Sequence, residues 1–297
     1  MQGTRLGLIG YGEVGGIFCA GLKSQVDSVH AWDLKLADAT AAAPLQARAA
    51  HDGVTLCDSA AALCAASDLV ISAVTASNTV QVAREAAAHL QPGTVFLDLN
   101  SASPGAKREA AGLIEAAGGR YVEAGVMTSV PPYGIRVPML LGGPHADALA
   151  GRLQAFGMDA TAVSPDLGVA SAIKMCRSVM IKGLEALVVE SYTTARAYGV
   201  EDHVLPTLQE TFPSIDWSEQ GRYFYSRVVK HGRRRAEEMR EAANTVREAG
   251  FEPLMAAATA EKQDWVASLA AEGLFADVEA AGGWQAYADR LIARTRD

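Results

Sequence analysis

The sequence predicts an α/β domain built on a doubly wound, mainly parallel sheet, followed by an all-helical domain. Three observations predict it. Short apolar runs alternate with Ala-rich stretches through the first half; Gly and Pro pairs end those stretches; and strand-like runs cease after Pro165. Strands that alternate with helices pair in parallel, because each return to the same sheet edge needs a crossover.

The apolar run Arg5–Ile9 predicts the first strand, and further strands are predicted at Val29–Asp33, Val54–Cys57, Leu69–Ala73, Thr94–Asp98, Arg120–Glu123, Pro138–Leu141 and Asp159–Val163. Between most of them lie segments with strong intrinsic helix preference, such as Glu13–Ser24, Ser77–Leu90 and Ala106–Ala117. Gln91-Pro92-Gly93 and Gly118-Gly119 stop two of these helices. From Asp166 to Tyr198 no Pro interrupts a run rich in Ala, Leu, Val, Met and Glu, which predicts one long helix of about nine turns. More helices are predicted at 203–211, 217–249, 253–272 and 276–295. The expected domains are therefore 1–164 and 165–297.

A chain of 297 residues suits one large domain or two ordinary ones. The net charge of -8 favours solubility and argues against a protein that coats nucleic acid, in spite of the run Arg233–Arg235. Cys19, Cys57, Cys64 and Cys176 form no CxxC pair and no disulfide framework, so free, buried thiols in a reducing compartment are expected. No stretch approaches the roughly 20 apolar residues of a membrane helix, and Leu6–Ile9 is too short for a signal peptide. The cytoplasm is the expected location, with no membrane partner. The histidines are scattered, with no metal-ligand spacing, and no metal is expected.

Gly10, Gly12 and Gly15 make a GxGxxG turn between the first strand and the first helix. The first glycine permits the tight turn, the second lets backbone approach a pyrophosphate, and the third lets helix and strand pack closely. The turn, with Tyr11, Glu13 and Val14 between its glycines, therefore predicts a Rossmann dinucleotide site at a positive helix N-terminus. Asp33, at the end of the second strand, is placed to accept hydrogen bonds from both adenosine ribose hydroxyls. A 2′-phosphate there meets repulsion, so NAD is expected over NADP, with Lys35 near enough to leave NADP open. Val74, Thr75 and Asn100 follow later strand ends and complete the expected cofactor set.

The sequence resembles the β-hydroxyacid dehydrogenase superfamily, which includes 3-hydroxyisobutyrate and 6-phosphogluconate dehydrogenases. The resemblance rests on the glycine fingerprint, on Phe96-Leu97-Asp98-Leu99-Asn100-Ser101-Ala102-Ser103-Pro104, on Glu123-Ala124-Gly125-Val126-Met127-Thr128-Ser129, and on Gly168-Val169-Ala170-Ser171-Ala172-Ile173-Lys174. The helical half, with Lys182–Leu187 and His231–Met239, looks like a less-characterised branch. The resemblance implies a nicotinamide-dependent dehydrogenase acting on a small 3-hydroxy acid, a dimer formed through the helical halves, and Lys174 as general acid/base. An imine reductase and a non-catalytic dinucleotide sensor are the alternatives; imine reductases usually carry another residue type where Lys174 lies.

Ser171, Lys174, Ser178, Ile181, Lys182 and Glu185 share one side of an ideal helix, a polar stripe that is either catalytic or solvent-facing. A base for alcohol oxidation must be neutral, whereas a free lysine has a pKa near 10.4, so burial or a neighbouring cation such as Arg177 or Lys182 is expected to lower it. Ser178 stands where the family commonly has Asn and is the expected catalytic partner. Met127-Thr128-Ser129 replaces the family's Ser-Gly-Gly substrate loop, so Thr128 and Ser129 are expected to supply hydroxyls or N–H groups. Ser101 is expected beside the nicotinamide or substrate. His231, Arg234 or Arg235, and Glu238 fall about a turn apart on one helix, which the resemblance places over the cofactor cleft. His231 and Arg234 are the expected binders of an anionic substrate group, since the guanidinium fork suits carboxylate. Of the nearby aromatics Phe212, Trp217, Tyr223, Phe224 and Tyr225, most are expected in packing.

Overall fold

The computed structural model describes residues 3–278 and 283–296. The chain divides into two compact units between Cys176 and Arg177.

The first unit is an eight-stranded sheet with helices on both faces. Its strands are β1 (Arg5–Ile9), β2 (Ser28–Trp32), β3 (Thr55–Leu56), β4 (Leu69–Ser72), β5 (Val95–Asp98), β6 (Arg120–Val126), β7 (Met139–Gly142) and β8 (Ala160–Ser164). They lie in the order β3-β2-β1-β4-β5-β6-β7-β8, and every neighbouring pair is parallel except β6 with β7. Each expected strand is found. β6 runs on to Val126 because its antiparallel register continues through Val126 and Met139. β2 stops at Trp32, since Asp33 turns its carboxylate onto the Lys35 N–H and opens a short 3₁₀ turn.

The order reverses on either side of β1, which is where open α/β sheets form their ligand crevice. Helices α1 (Glu13–Leu22), α2 (Ala39–Asp52), α3 (Ala60–Ala65), α4 (Thr79–Ala87), α5 (Pro104–Ala116) and α6 (Ala146–Ala155) carry the crossovers. Local chemistry sets their starts: Asp38, Ser59 and Ser103 each cap a helix by accepting first-turn N–H groups, and Pro104 fills the first position of α5. Leu6, Leu8, Leu69, Ile71, Leu97 and Val122 face one core, and Ile9, Val70, Phe96 and Tyr121 face the other, as expected for strands covered on both sides.

The long helix α7 runs from Val169 to Tyr198, starting later than the sequence predicts. Gly168 sits at φ +99°, a left-handed conformation that no helical residue adopts, so Asp166–Gly168 stay outside. Beyond the division follow α8 (Glu201–Thr211), α9 (Trp217–Glu248), α10 (Leu254–Ala271) and α11 (Trp284–Arg296). The last expected helix, 276–295, falls partly on 279–282, outside the described residues. Tyr192, Trp217, Phe224, Tyr225, Trp284 and Tyr287 build the core of this second unit, with Tyr192 edge-on to Trp284 at 4.8 Å between ring centres. The other two aromatics of that segment, Phe212 and Tyr223, are about half exposed. Among the described residues no helix is long and apolar enough to cross a membrane.

Candidate active site

The glycine-rich turn after β1 has the shape its sequence requires. Gly10 has φ +93°, and a side chain there would also strike the Ala73 carbonyl at 2.5 Å. A Cβ on Gly15 would lie 2.0 Å from the Gly10 carbonyl oxygen, so only glycine lets α1 sit this close to the turn. Gly12 differs, because a Cβ there meets nothing within 4 Å. It is the N-cap of α1 and offers no capping side chain, which leaves the first-turn N–H groups at Glu13 and Val14 without a side-chain acceptor. Open space beside uncapped helix N–H groups fits a pyrophosphate.

Tyr11 serves this turn from the inside. Its ring is fully buried, and its N–H donates to Asp33 Oδ2 at 2.8 Å. The Asp33 carboxylate therefore ties the turn to the end of β2, with its other oxygen on the Lys35 N–H at 2.9 Å. Asn100 does similar work one strand over. Its Oδ1 accepts from the Val74 N–H at 2.7 Å and its amide donates to Ser72 Oγ at 3.0 Å, joining the ends of β4 and β5. Asn100 thus fixes the Val74 peptide at the end of β4. Thr75 is exposed and accepts from the Asn78 amide at 2.8 Å.

At the end of β5 the Lys174 amine donates to Ser101 Oγ at 2.6 Å. Three local features bring them together. Glu123, fully buried on β6, accepts from the N–H groups of Gly168 at 2.8 Å and Ala170 at 3.1 Å, so its carboxylate caps α7. Two residues along the same strand face, Gly125 leaves room for the helix: a Cβ there would lie 2.9 Å from the Ala170 carbonyl and 3.4 Å from Lys174 Cβ. Behind Ser101, Asp98 is held by the buried Lys107 amine at 2.9 Å and by the Tyr121 hydroxyl at 2.7 Å, and it accepts from the Asn100 N–H at 2.9 Å. Burial, reinforced by the Asp98 charge, holds the Tyr121 phenol well above its ordinary pKa, so it stays a donor.

Sequence reasoning passes over Lys107, Tyr121, and the roles of Asp98, Glu123 and Gly125. The available signal is weak: Lys107 looks like one more charge on an Ala-rich helix, and its partner lies nine residues earlier on a strand.

The residues expected to form a substrate loop follow β6. The Met127 N–H donates to the Pro138 carbonyl at 2.9 Å, Thr128 is exposed, and Ser129 is half-buried.

The other expected site residues lie in the helical unit. The polar stripe on α7 faces inward rather than to solvent: Ser171 in the first unit and Ser178, Lys182 and Glu185 in the second are buried, whereas Ile181 is exposed and leaves the stripe. Ser178 accepts from Lys182, whose amine pairs with Glu238 at 2.8 Å. Lys182 is thereby charge-balanced within its own unit. Glu185 forms a buried, bidentate pair with Arg235 and also accepts from Gln263 at 3.3 Å. Arg235 is thus structural, and Arg234 is the exposed neighbour. Half-buried His231 has its pKa lowered to about 4, first by burial and then by Arg227, Arg234, Lys230 and Arg235. Three cysteines are at least partly buried as expected, but Cys176 is exposed.

Residues 5–146 match the family described as the NAD binding domain of 6-phosphogluconate dehydrogenase, and residues 195–266 match a domain of unknown function. The chain is 40% identical to a conserved hypothetical protein from Sinorhizobium meliloti 1021, over 98% of this chain and 96% of that one, with a TM-score of 0.76. It is 31% identical to a conserved protein of unknown function described as structurally similar to 3-hydroxyacid dehydrogenases, over 90% of this chain and 98% of that one, with a TM-score of 0.68. A Mycobacterium tuberculosis 3-hydroxyisobutyrate dehydrogenase shares the fold at 18% identity, over 98% and 99% of the two chains, with a TM-score of 0.67. A nicotinamide-dinucleotide-binding fold of the 3-hydroxyacid dehydrogenase type is therefore the class to which fold and turn point. The chain belongs to the β-hydroxyacid dehydrogenase superfamily, with the domain of unknown function matching 195–266 of its helical part.

Proposed function

We propose that the protein interconverts a small 3-hydroxy acid and its carbonyl form, with Lys174 as the general acid/base. The observation that carries the reading is the 2.6 Å bond from Lys174 to Ser101, at the carboxyl ends of the parallel strands, on the same sheet edge as the glycine-rich turn. Glycines 10, 12 and 15, with the N–H groups of Glu13 and Val14, would hold the dinucleotide's pyrophosphate. Asp33 would take the adenosine ribose, which favours NAD over NADP. The nicotinamide, when bound, supplies the hydride acceptor or donor.

In the oxidative direction neutral Lys174 takes the proton from the substrate hydroxyl. In the reductive direction its ammonium form returns that proton to the nascent alkoxide. Ser101, by accepting from Nζ, orients the amine, and Glu123 and Gly125 fix the helix that carries it. Met127, Thr128 and Ser129 would line the substrate's near side. His231 and Arg234 of the helical unit are proposed to bind an anion, a role supported by the charges of Arg227, Lys230, Arg234 and Arg235 acting on His231. Ser178, held by Lys182, is proposed to support the catalytic helix rather than to move a proton. A homodimer through the helical halves fits the exposed Met180 and Leu187 on α7 and Met255 and Trp265 on α10, and the free thiols fit a cytoplasmic setting.

The test is a panel of 3-hydroxy acids offered with NAD and NADP in parallel, followed by absorbance of the reduced nicotinamide. At least one acid should be oxidised, faster with NAD. Tight cofactor binding with no turnover on any acid or carbonyl compound would instead identify a dinucleotide sensor. Turnover confined to cyclic imines would identify an imine reductase.

A further inference from the structure

We infer that Arg48 is a positioning residue for the dinucleotide's pyrophosphate, acting on the glycine-rich turn through Tyr11. It rests on dinucleotide binding by that turn and is independent of the role of Lys174. Arg48 lies on α2, outside the fingerprint, yet its guanidinium converges on the turn in three ways. Its Nη2 donates to the Tyr11 carbonyl. Its Cζ stacks over the Tyr11 ring, 4.1 Å from the centre. It also lies against Gly16 on α1, where a Cβ would stand 3.0 Å from Cζ and 3.1 Å from Nε and Nη1. Glycine at 16 is what admits the guanidinium.

The peptides on either side of Tyr11 are consequently both held: the Gly10–Tyr11 N–H by Asp33 and the Tyr11–Gly12 carbonyl by Arg48. With both of these peptides restrained, Gly12 and the N–H groups of Glu13 and Val14 that follow are preorganised before a ligand arrives. Charge points the same way. Glu13 places a carboxylate in the first turn of α1, where a pyrophosphate would add more negative charge. Arg48 brings a cation to the Tyr11 carbonyl that precedes that turn. Its Nε is buried without a hydrogen-bond partner, an arrangement unfavourable for a side chain kept for stability alone.

The experiment compares the parent protein with Arg48→Met and Arg48→Lys, titrating NADH and ADP by fluorescence and adenosine by NMR. Circular dichroism verifies each fold. Arg48→Met should weaken NADH and ADP about tenfold, equal to about 1.4 kcal/mol, while adenosine changes less than twofold. Arg48→Lys should recover part of the loss, because it keeps the charge without the planar stack. If Arg48→Met does not fold, Arg48→Lys carries the same comparison, with a smaller loss on NADH and ADP and none on adenosine. NADH binding within twofold of the parent in both variants overturns the inference, and so does an equal loss on adenosine. A parent protein that binds neither nucleotide overturns the cofactor reading along with it.

Discussion

Lys174 and Ser101 stand 73 residues apart in sequence, yet the amine donates to the hydroxyl across 2.6 Å. A hydrogen bond to a charged donor contributes about 1.5–3 kcal/mol. If Ser101 orients the amine for proton transfer, Ser101→Ala should lower kcat about 10- to 100-fold and leave the NADH Kd within about threefold. Steady-state kinetics beside a fluorescence titration separates the two effects.

The glycines of the turn should fail in different ways. Gly12→Ala meets open space in the protein, so its melting temperature should stay within about 2 °C of the parent while dinucleotide affinity falls at least tenfold. Gly15→Ala drives a methyl into the Gly10 carbonyl and should destabilise the fold by about 1–3 kcal/mol. Thermal melting paired with NADH titration checks both, and a Gly12→Ala variant that binds normally would remove the pyrophosphate from this turn.

Lys107→Met strands the Asp98 carboxylate, whose amine partner is fully buried with it. Breaking such a pair from one side costs about 3–5 kcal/mol. Urea unfolding should show a loss of that size. An unchanged midpoint would mean that water reaches Asp98.

His231 gives a pH signature. An unfolded imidazole takes its proton near pH 6.5, whereas the folded one takes it only near pH 4. Between those values the unfolded chain binds more protons, so its share grows as pH falls. The contribution of neutral His231 is thus complete above about pH 6.5 and diminishes down to about pH 4. His231→Gln should show a shallower fall in melting temperature across that window, and parallel curves would contradict the assignment.

The sequence was informative wherever demands are local. Strands β1 to β8 follow from apolar runs bounded by turn residues, and the need for glycine at 10 and 15 follows from the left-handed Gly10 and the close Gly10–Gly15 approach. Lys174 was reached through resemblance, since its partner Ser101 is remote in the chain. The parts that stayed hidden depend on long-range burial. Lys107 reads as a surface charge until Asp98 and Tyr121 close around it, and Glu123 lies 45 positions before the Gly168 N–H that it holds at the start of α7. Helical register explains the remaining corrections. A face drawn on an ideal helix did not distinguish Arg234 from Arg235, yet the fold buries Arg235 against Glu185 and leaves Arg234 exposed. Likewise an ideal helix puts Ile181 in the α7 stripe, whereas the fold leaves it exposed.

The amine of Lys174 is tested most directly by turnover in Lys174→Ala, on the best 3-hydroxy acid found, with NADH affinity measured on the same preparation. General acid/base catalysis by a positioned side chain contributes about 10²- to 10⁴-fold. The variant should therefore lose at least a hundredfold in kcat while binding NADH within about threefold of the parent. A Lys174→Ala enzyme that keeps a third or more of the parent kcat would contradict the assignment and place the proton transfer on another group.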